Sequence, residues 1–328
     1  MGYQYPMRLW FSQFMAIARL ALLESLRQPV VLLLALAGVG FTALLPLLIT
    51  HVLGDGQRMV RDSALALHLV SGLVLGSYAA CASLRDEVRR GTASAILSKP
   101  VGRSLFLLAK FTGLAVVMAL YALLLALATI LACRTAAQDY LLDFWGIGPL
   151  LLAVVVAALS GGLQNFLLRR PFTSRCFGTL LLTVPAALAW SATVDTEGAR
   201  AAVFGSALPL DTVPASLLIL MAILILTGLS VSLATRLDVV PTLACCASLL
   251  MAGLMSDYLF GAAAAHQRLP ALLYGVLPNF QHFWAVDALA RGPLPWSYVV
   301  QAGHYGALYL AGILCAGLVA FRHMELKG

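Results

Sequence analysis

The sequence predicts an all-α integral membrane protein: a polytopic helix bundle of about eight spans with an amphipathic helix ahead of the first. Three observations carry this. Hydrophobic residues make up 61% of the 328, and only 11% are charged, too few to cover a soluble domain of this length. Apolar runs of about 20 residues recur from Pro29 almost to the C-terminus, each long enough to cross a hydrocarbon core of roughly 30 Å as a helix. The runs are continuous, whereas a transmembrane β-barrel alternates in short segments.

The elements follow in chain order. Residues 1–28 form the amphipathic N-terminal unit, and 29–328 form one transmembrane domain. Within 7–28, Leu9, Trp10, Phe14, Ile17, Leu20 and Leu23 recur at helical spacing among Arg8, Gln13, Arg19 and Glu24, a pattern suited to a membrane surface. That stretch lacks the clean apolar centre and small-residue cleavage site of a secretory signal, so the first span is expected to serve as its own signal. Pro29 marks a break. The spans are expected at 30–53, 63–84, 104–133, 146–168, 176–194, 213–235, 239–260 and 296–321. Pro185 interrupts the fifth. The third is longer than a bilayer needs and can tilt or project. Residues 261–295 contain Pro270, Pro278, Pro293 and Pro295, which points to short helices or a re-entrant hairpin.

Positive charge sets the orientation. With the N-terminus inside, the inner segments hold fifteen of the 21 Lys and Arg, and the opposite orientation reverses the bias. Both ends are therefore expected in the cytoplasm. The net charge of +7 is explained by this asymmetry and needs no nucleic acid.

The densest charge cluster lies between the second and third spans, on the inner side. It reads Arg85, Asp86, Glu87, Arg89 and Arg90, then Gly91 and Thr92, then Lys99, Pro100 and Arg103, with Lys110 beyond. Asp86 is well spaced for helical pairing with Arg89 and Arg90. Gly91 can end that turn, and Thr92 can cap a second short helix running to Leu97. Charge alone suits a solvated loop that sets topology. The compact helix–Gly–helix–Pro pattern is more than orientation needs, and it suits a docking surface.

Other chemistry is sparse. The stretch LSGGLQ at 159–164 ends an apolar span, where small residues serve helix packing. No G-x-x-x-x-G-K-[ST], H-E-x-x-H or G-x-S-x-G occurs. Of the six His, His68 and His304 sit within spans near their outer ends, as does Asp257; these are intramembrane ionisable groups to be weighed against ordinary partnered placement. The six Cys lie within or at the ends of apolar runs, without C-x-x-C pairs, as packing residues do. Span centres hold almost no Asp, Glu, Lys or Arg, groups that ion-coupled transporters usually keep there. The chain is expected to move or hold something while another subunit supplies the energy.

The block Glu87-x-x-x-Gly91-Thr92, followed by Leu97-Ser98-Lys99-Pro100-Val101-x-Arg103 and Lys110, resembles the signature of permease subunits of ABC-2 type transporters. Within that family it is most similar to the nitrous-oxide-reductase maturation permease branch. Residues 233–240 (LATRLDVV) and 277–283 (LPNFQHF) resemble further family segments, and 7–28 matches the family's elbow helix in position. The resemblance implies a permease subunit, an exporter in leaning, in a bacterial plasma (inner) membrane. Its partners would be a second permease copy or a related permease, and a cytoplasmic ATP-binding cassette ATPase that carries the ATP and Mg. It implies that residues 85–103 form the ATPase-coupling segment. Arg85 opens it, and Glu87, Arg89 and Arg90 meet the ATPase by charge. Gly91 and Thr92 set the turn, while Lys99, Pro100 and Arg103 fix the segment to the third span. No catalytic, cofactor or metal residue is expected on this chain. Such permeases usually have six spans, and the surplus here falls around Arg169–Arg175. An ion-coupled secondary transporter and a non-transporting membrane assembly factor remain alternatives.

Overall fold

A computed structural model describes residues 7–49, 55–89, 102–136, 143–261 and 267–322. Among them the fold is helical, and the only β feature is an isolated bridge between Val194 and Arg200. The long helices are α1 (Met7–Leu26), α2 (Pro29–Leu48), α3 (Gly56–Arg89), α4 (Arg103–Thr135), α5 (Phe144–Leu168), α6 (Phe172–Thr193), α7 (Thr212–Leu233) and α8 (Val239–Leu254). A π-helical turn (Asp257–Gly261), α9 (Arg268–Val276), a 3-10 turn (Phe280–His282) and α10 (Val286–Leu289) then lead into α11 (Trp296–Arg322). Residues 261–295 are thus short helices where described.

Seven helices, α2 to α7 and α11, are long and apolar enough to cross a membrane. The expected seventh span differs. Its α-helix is 16 residues long and stops where Met255 leaves helical geometry, and the chain continues into the π-helical turn. The ends of the bundle show what that leg does. Phe106, at the start of α4, stacks on Phe321, near the end of α11, with ring centroids 6.3 Å apart. Arg236, just past α7, donates to the Ala320 carbonyl. The chain therefore leaves α7 at the same end of the bundle at which α11 finishes, so α8 with the π turn and short helices carries it to the opposite end. The fifth expected span is unbroken: α6 runs through Pro185, which forfeits one ladder hydrogen bond, as helices packed in a membrane tolerate.

α4 is the central helix. Its sequence is apolar on every side, which suits a helix surrounded by others. It packs against α1, α2, α3, α5, α6, α7 and α11. Residues 111–133 form a charge-free run of the length a span needs, bracketed by Lys110 and Arg134. Those two Cα atoms stand about 36 Å apart along the helix, at 1.5 Å per residue.

Small residues let the other helices close in. Gly72 and Gly76 of α3, one turn apart, lie under Ile223 and Thr227 of α7; a Cβ at Gly76 would sit 2.6 Å from the Thr227 hydroxyl. This is the small-residue packing that joins helices in an apolar medium. Ser77 and Ser230 hydroxyls, 3.2 Å apart, add a polar contact on the same seam. α1 approaches α4 as closely: a Cβ at Gly113 would be 2.8 Å from Ala21 Cβ. The face of α1 holding Ala18, Ala21 and Ser25 is buried, while Trp10, Phe11, Met15, Leu20 and Leu23 point outward.

Candidate functional site

The charged segment between α3 and α4 is partly described. α3 does not stop at Leu84: its helix extends through Arg85, Glu87 and Arg89. Arg90, Gly91, Thr92, Lys99 and Pro100, with the expected second short helix, lie outside the described residues. Arg103 opens α4 and is half-buried.

Past the start of α4 is a buried lysine. Lys110 is fully buried on α4, and its ammonium donates to Ser83 Oγ on α3 at 3.1 Å. The same Nζ is 3.5 Å from Glu24 Oε2 on α1, and it lies 5.9 Å from the centroid of the Phe106 ring, within cation–π range. Burying an ammonium is costly unless it is paired and hydrogen-bonded, and here three helices supply the partners. Glu24 is the sole acidic residue of α1. Ser83 adjoins Leu84, the last residue of α3 whose side chain is described. α1, α3 and α4 thus converge on one charge, seven residues past the start of α4. Sequence reading placed Lys110 as one more inner charge and missed Glu24 as its partner, because nothing local pairs residues 24 and 110.

A second buried charge fastens the far end of α4. Arg134 and Asp143 are both fully buried, with Nε to Oδ2 at 2.8 Å. Arg134 also donates to the carbonyls of Ser191 and Val194 at the end of α6. Asp143 caps α5 by accepting from the Gly146 N–H at 2.9 Å. A cation at a helix C-terminus and an anion at an N-terminus each meet the favourable end of a helix dipole. The burial of Arg134 follows from the neighbouring α5–α6 hairpin, which it staples to the bundle. Nearby, Arg61 of α3 reaches Asp62 at 3.3 Å and Asp211, before α7, at 4.0 Å.

The remaining ionisable candidates separate clearly. His304 Nδ1 lies 2.8 Å from the Val300 carbonyl of its own helix, an ordinary partnered histidine. Asp257, on the π turn, accepts from Tyr274 at 2.7 Å and from Asn279 at 2.9 Å. That carboxylate neighbour raises the Tyr274 phenol above its ordinary pKa, because the hydrogen bond holds the proton on Tyr274. Asn279 in turn donates its backbone N–H to Tyr305, so 277–283 is pinned to both α8 and α11. His68 is different: it is fully buried with neither ring nitrogen partnered. None of the six cysteines is in a disulfide, and no group of three His, Cys, Asp or Glu could hold a metal among the described residues. In comparisons with known proteins, no family model, no curated protein and no solved structure matches the chain.

Proposed function

We propose that this chain is the membrane-spanning permease subunit of an ABC-2 type transporter, driven by a separate cytoplasmic ATPase that binds ATP and Mg. A second permease copy, or a related one, would complete the assembly in a bacterial plasma membrane, with both termini cytoplasmic. The observation that supports this reading best is the Lys110 junction. A force applied to residues 85–103 would reach α1, α3 and α4 together, because their ends share one buried, charge-assisted contact set. α4 touches most of the bundle, so its tilt would be felt by the spans around it. In this reading Glu87, Arg89 and Arg90 face the ATPase, Gly91 and Thr92 turn the segment, and Lys99, Pro100 and Arg103 secure it to α4.

Buried charge in the described spans stays near helix ends, at Arg61, Lys110 and Arg134, which fits an energy source outside the membrane better than an ion relay at its centre. The test is reconstitution. The chain purified alone should neither bind nor hydrolyse ATP. With its ATPase in liposomes, hydrolysis should depend on the permease. Uptake driven by an ion gradient without any ATPase would instead establish a secondary transporter. A chain that binds no ATPase and moves nothing would stand as an assembly factor.

A further inference from the structure

Three helices surround a buried polar spot that is unsatisfied among the described residues. His68 of α3 is fully buried, and neither imidazole nitrogen has a hydrogen-bond partner among the described residues. Thr42 of α2 is fully buried too, and its hydroxyl is likewise without a partner. Pro46 lies one turn further along α2 and has no N–H, so the Thr42 carbonyl also loses its helical donor.

Tyr121 of α4 fixes the level of the two. Its ring meets the His68 ring edge-on, with centroids 6.4 Å apart and planes at 72°. Its hydroxyl donates to Ser71 Oγ at 2.7 Å, and a Cβ at Gly38 would stand 3.2 Å from the same oxygen. Gly38 and Ser71 therefore lie at one level. Thr42 is one turn past Gly38 on α2, and His68 is one turn before Ser71 on α3. Because α2 and α3 are antiparallel neighbours, both steps lead toward the same end, and Thr42 and His68 arrive at a common level beside Tyr121.

A buried polar group without a partner carries its full desolvation cost, and native interiors avoid this. Several such groups at one level would be satisfied together by one polar guest. A neutral imidazole offers one donor and one acceptor, a threonine hydroxyl offers both, and a free carbonyl accepts. The matching chemistry is a hydroxyl, which donates and accepts at once.

We propose that α2, α3 and α4 hold a binding site for a small hydroxyl group at His68 and Thr42, supplied by a buried water or by an alcohol function of a larger guest. The inference goes beyond the permease reading and does not depend on an ATPase.

The test uses the full chain in lipid nanodiscs with ¹⁵N-labelled histidine rings, and His68→Phe identifies the resonance among the six histidines. Water and 1-propanol are the probes. The site predicts magnetisation transfer between water and a His68 ring nitrogen, weakened in Thr42→Val. A saturable shift of that resonance by 1-propanol identifies a site open to guests; transfer from water with no response to the alcohol identifies a sealed water. His68 nitrogens that respond to neither probe overturn the proposal. Thermal unfolding gives an independent reading. With a resident hydroxyl, His68→Leu loses its bonds and its melting midpoint is unchanged or falls. A rise of several degrees means the nitrogens were orphaned all along, and it overturns the site.

Discussion

Glu24→Gln is the sharpest probe of the Lys110 junction, because it removes a charge and almost no volume. At 3.5 Å the pair's attraction is about 5 kcal/mol for an effective dielectric of 20, and about 1 kcal/mol if fully screened by water. Lys110 is fully buried, but Glu24 is 39% exposed, so the pair lies between those limits. With Glu24 partly screened by solvent, we expect Glu24→Gln to cost about 2 kcal/mol, between those two limits. Lys110→Met should behave differently. It removes the buried ammonium in favour of an apolar chain of similar length, so its net effect should stay within about 1 kcal/mol of zero. With Met at 110, Glu24→Gln should then cost almost nothing, leaving a coupling of about 2 kcal/mol between the two positions. Equilibrium unfolding in mixed micelles, followed by circular dichroism, measures all three variants. A cost below about 0.5 kcal/mol for Glu24→Gln, with no coupling, would refute the claim that charge fastens α1 to α4.

Other outcomes follow from the same contacts. Asp143→Asn leaves Arg134 buried with its charge uncompensated, and should cost about 3–5 kcal/mol in the same unfolding assay. Gly76→Ile forces a branched side chain against the Thr227 hydroxyl and should cost about 1–3 kcal/mol, whereas the same change at Gly178, with nothing within 4 Å, should cost under about 1 kcal/mol. Tyr274 should titrate above the ordinary tyrosine range by ultraviolet absorbance, and Asp257→Asn should bring it back down. For topology, single cysteines at Ser98 and Lys327 should be shielded from an impermeant thiol reagent in intact cells, and those at Asp139 and Gln267 should react; labelling at only one terminus would mean that 239–295 does not cross.

Much of this fold was legible in the sequence because a bilayer imposes a simple rule of length and apolarity. α4 is the clearest case: a charge-free run between Lys110 and Arg134 reads directly as a span, and its all-round hydrophobicity marks it as central. α8 was legible only as an apolar run. Its early end depends on a contact between distant residues, since a Cβ at Gly253 would collide with Phe280 and the Pro278 carbonyl as 277–283 folds back against it. The site divides in the same way. The charge pattern of 85–103 is local and visible. The pairing of Glu24 with Lys110, and of Arg134 with the carbonyls that end α6, joins helices far apart in sequence and becomes visible only once they pack. His68 could be singled out as an ionisable group within a span, but its missing partners are a property of the folded interior.

The central claim is that residues 85–103 dock on an ATPase, and Glu87→Lys tests it most directly. The substitution adds positive charge to an inner segment, so the topology signal is retained. If Glu87 sits in a partly desolvated interface, its reversal costs a few kcal/mol. An exposed loop charge contributes at most about 1 kcal/mol, roughly fivefold in affinity. The measurement is the affinity of the purified ATPase for the chain in nanodiscs, wild type against Glu87→Lys, with insertion checked by the same cysteine labelling. Docking predicts binding weaker by at least about tenfold, together with loss of ATP-driven transport. Normal insertion with affinity and transport equal to wild type would contradict it.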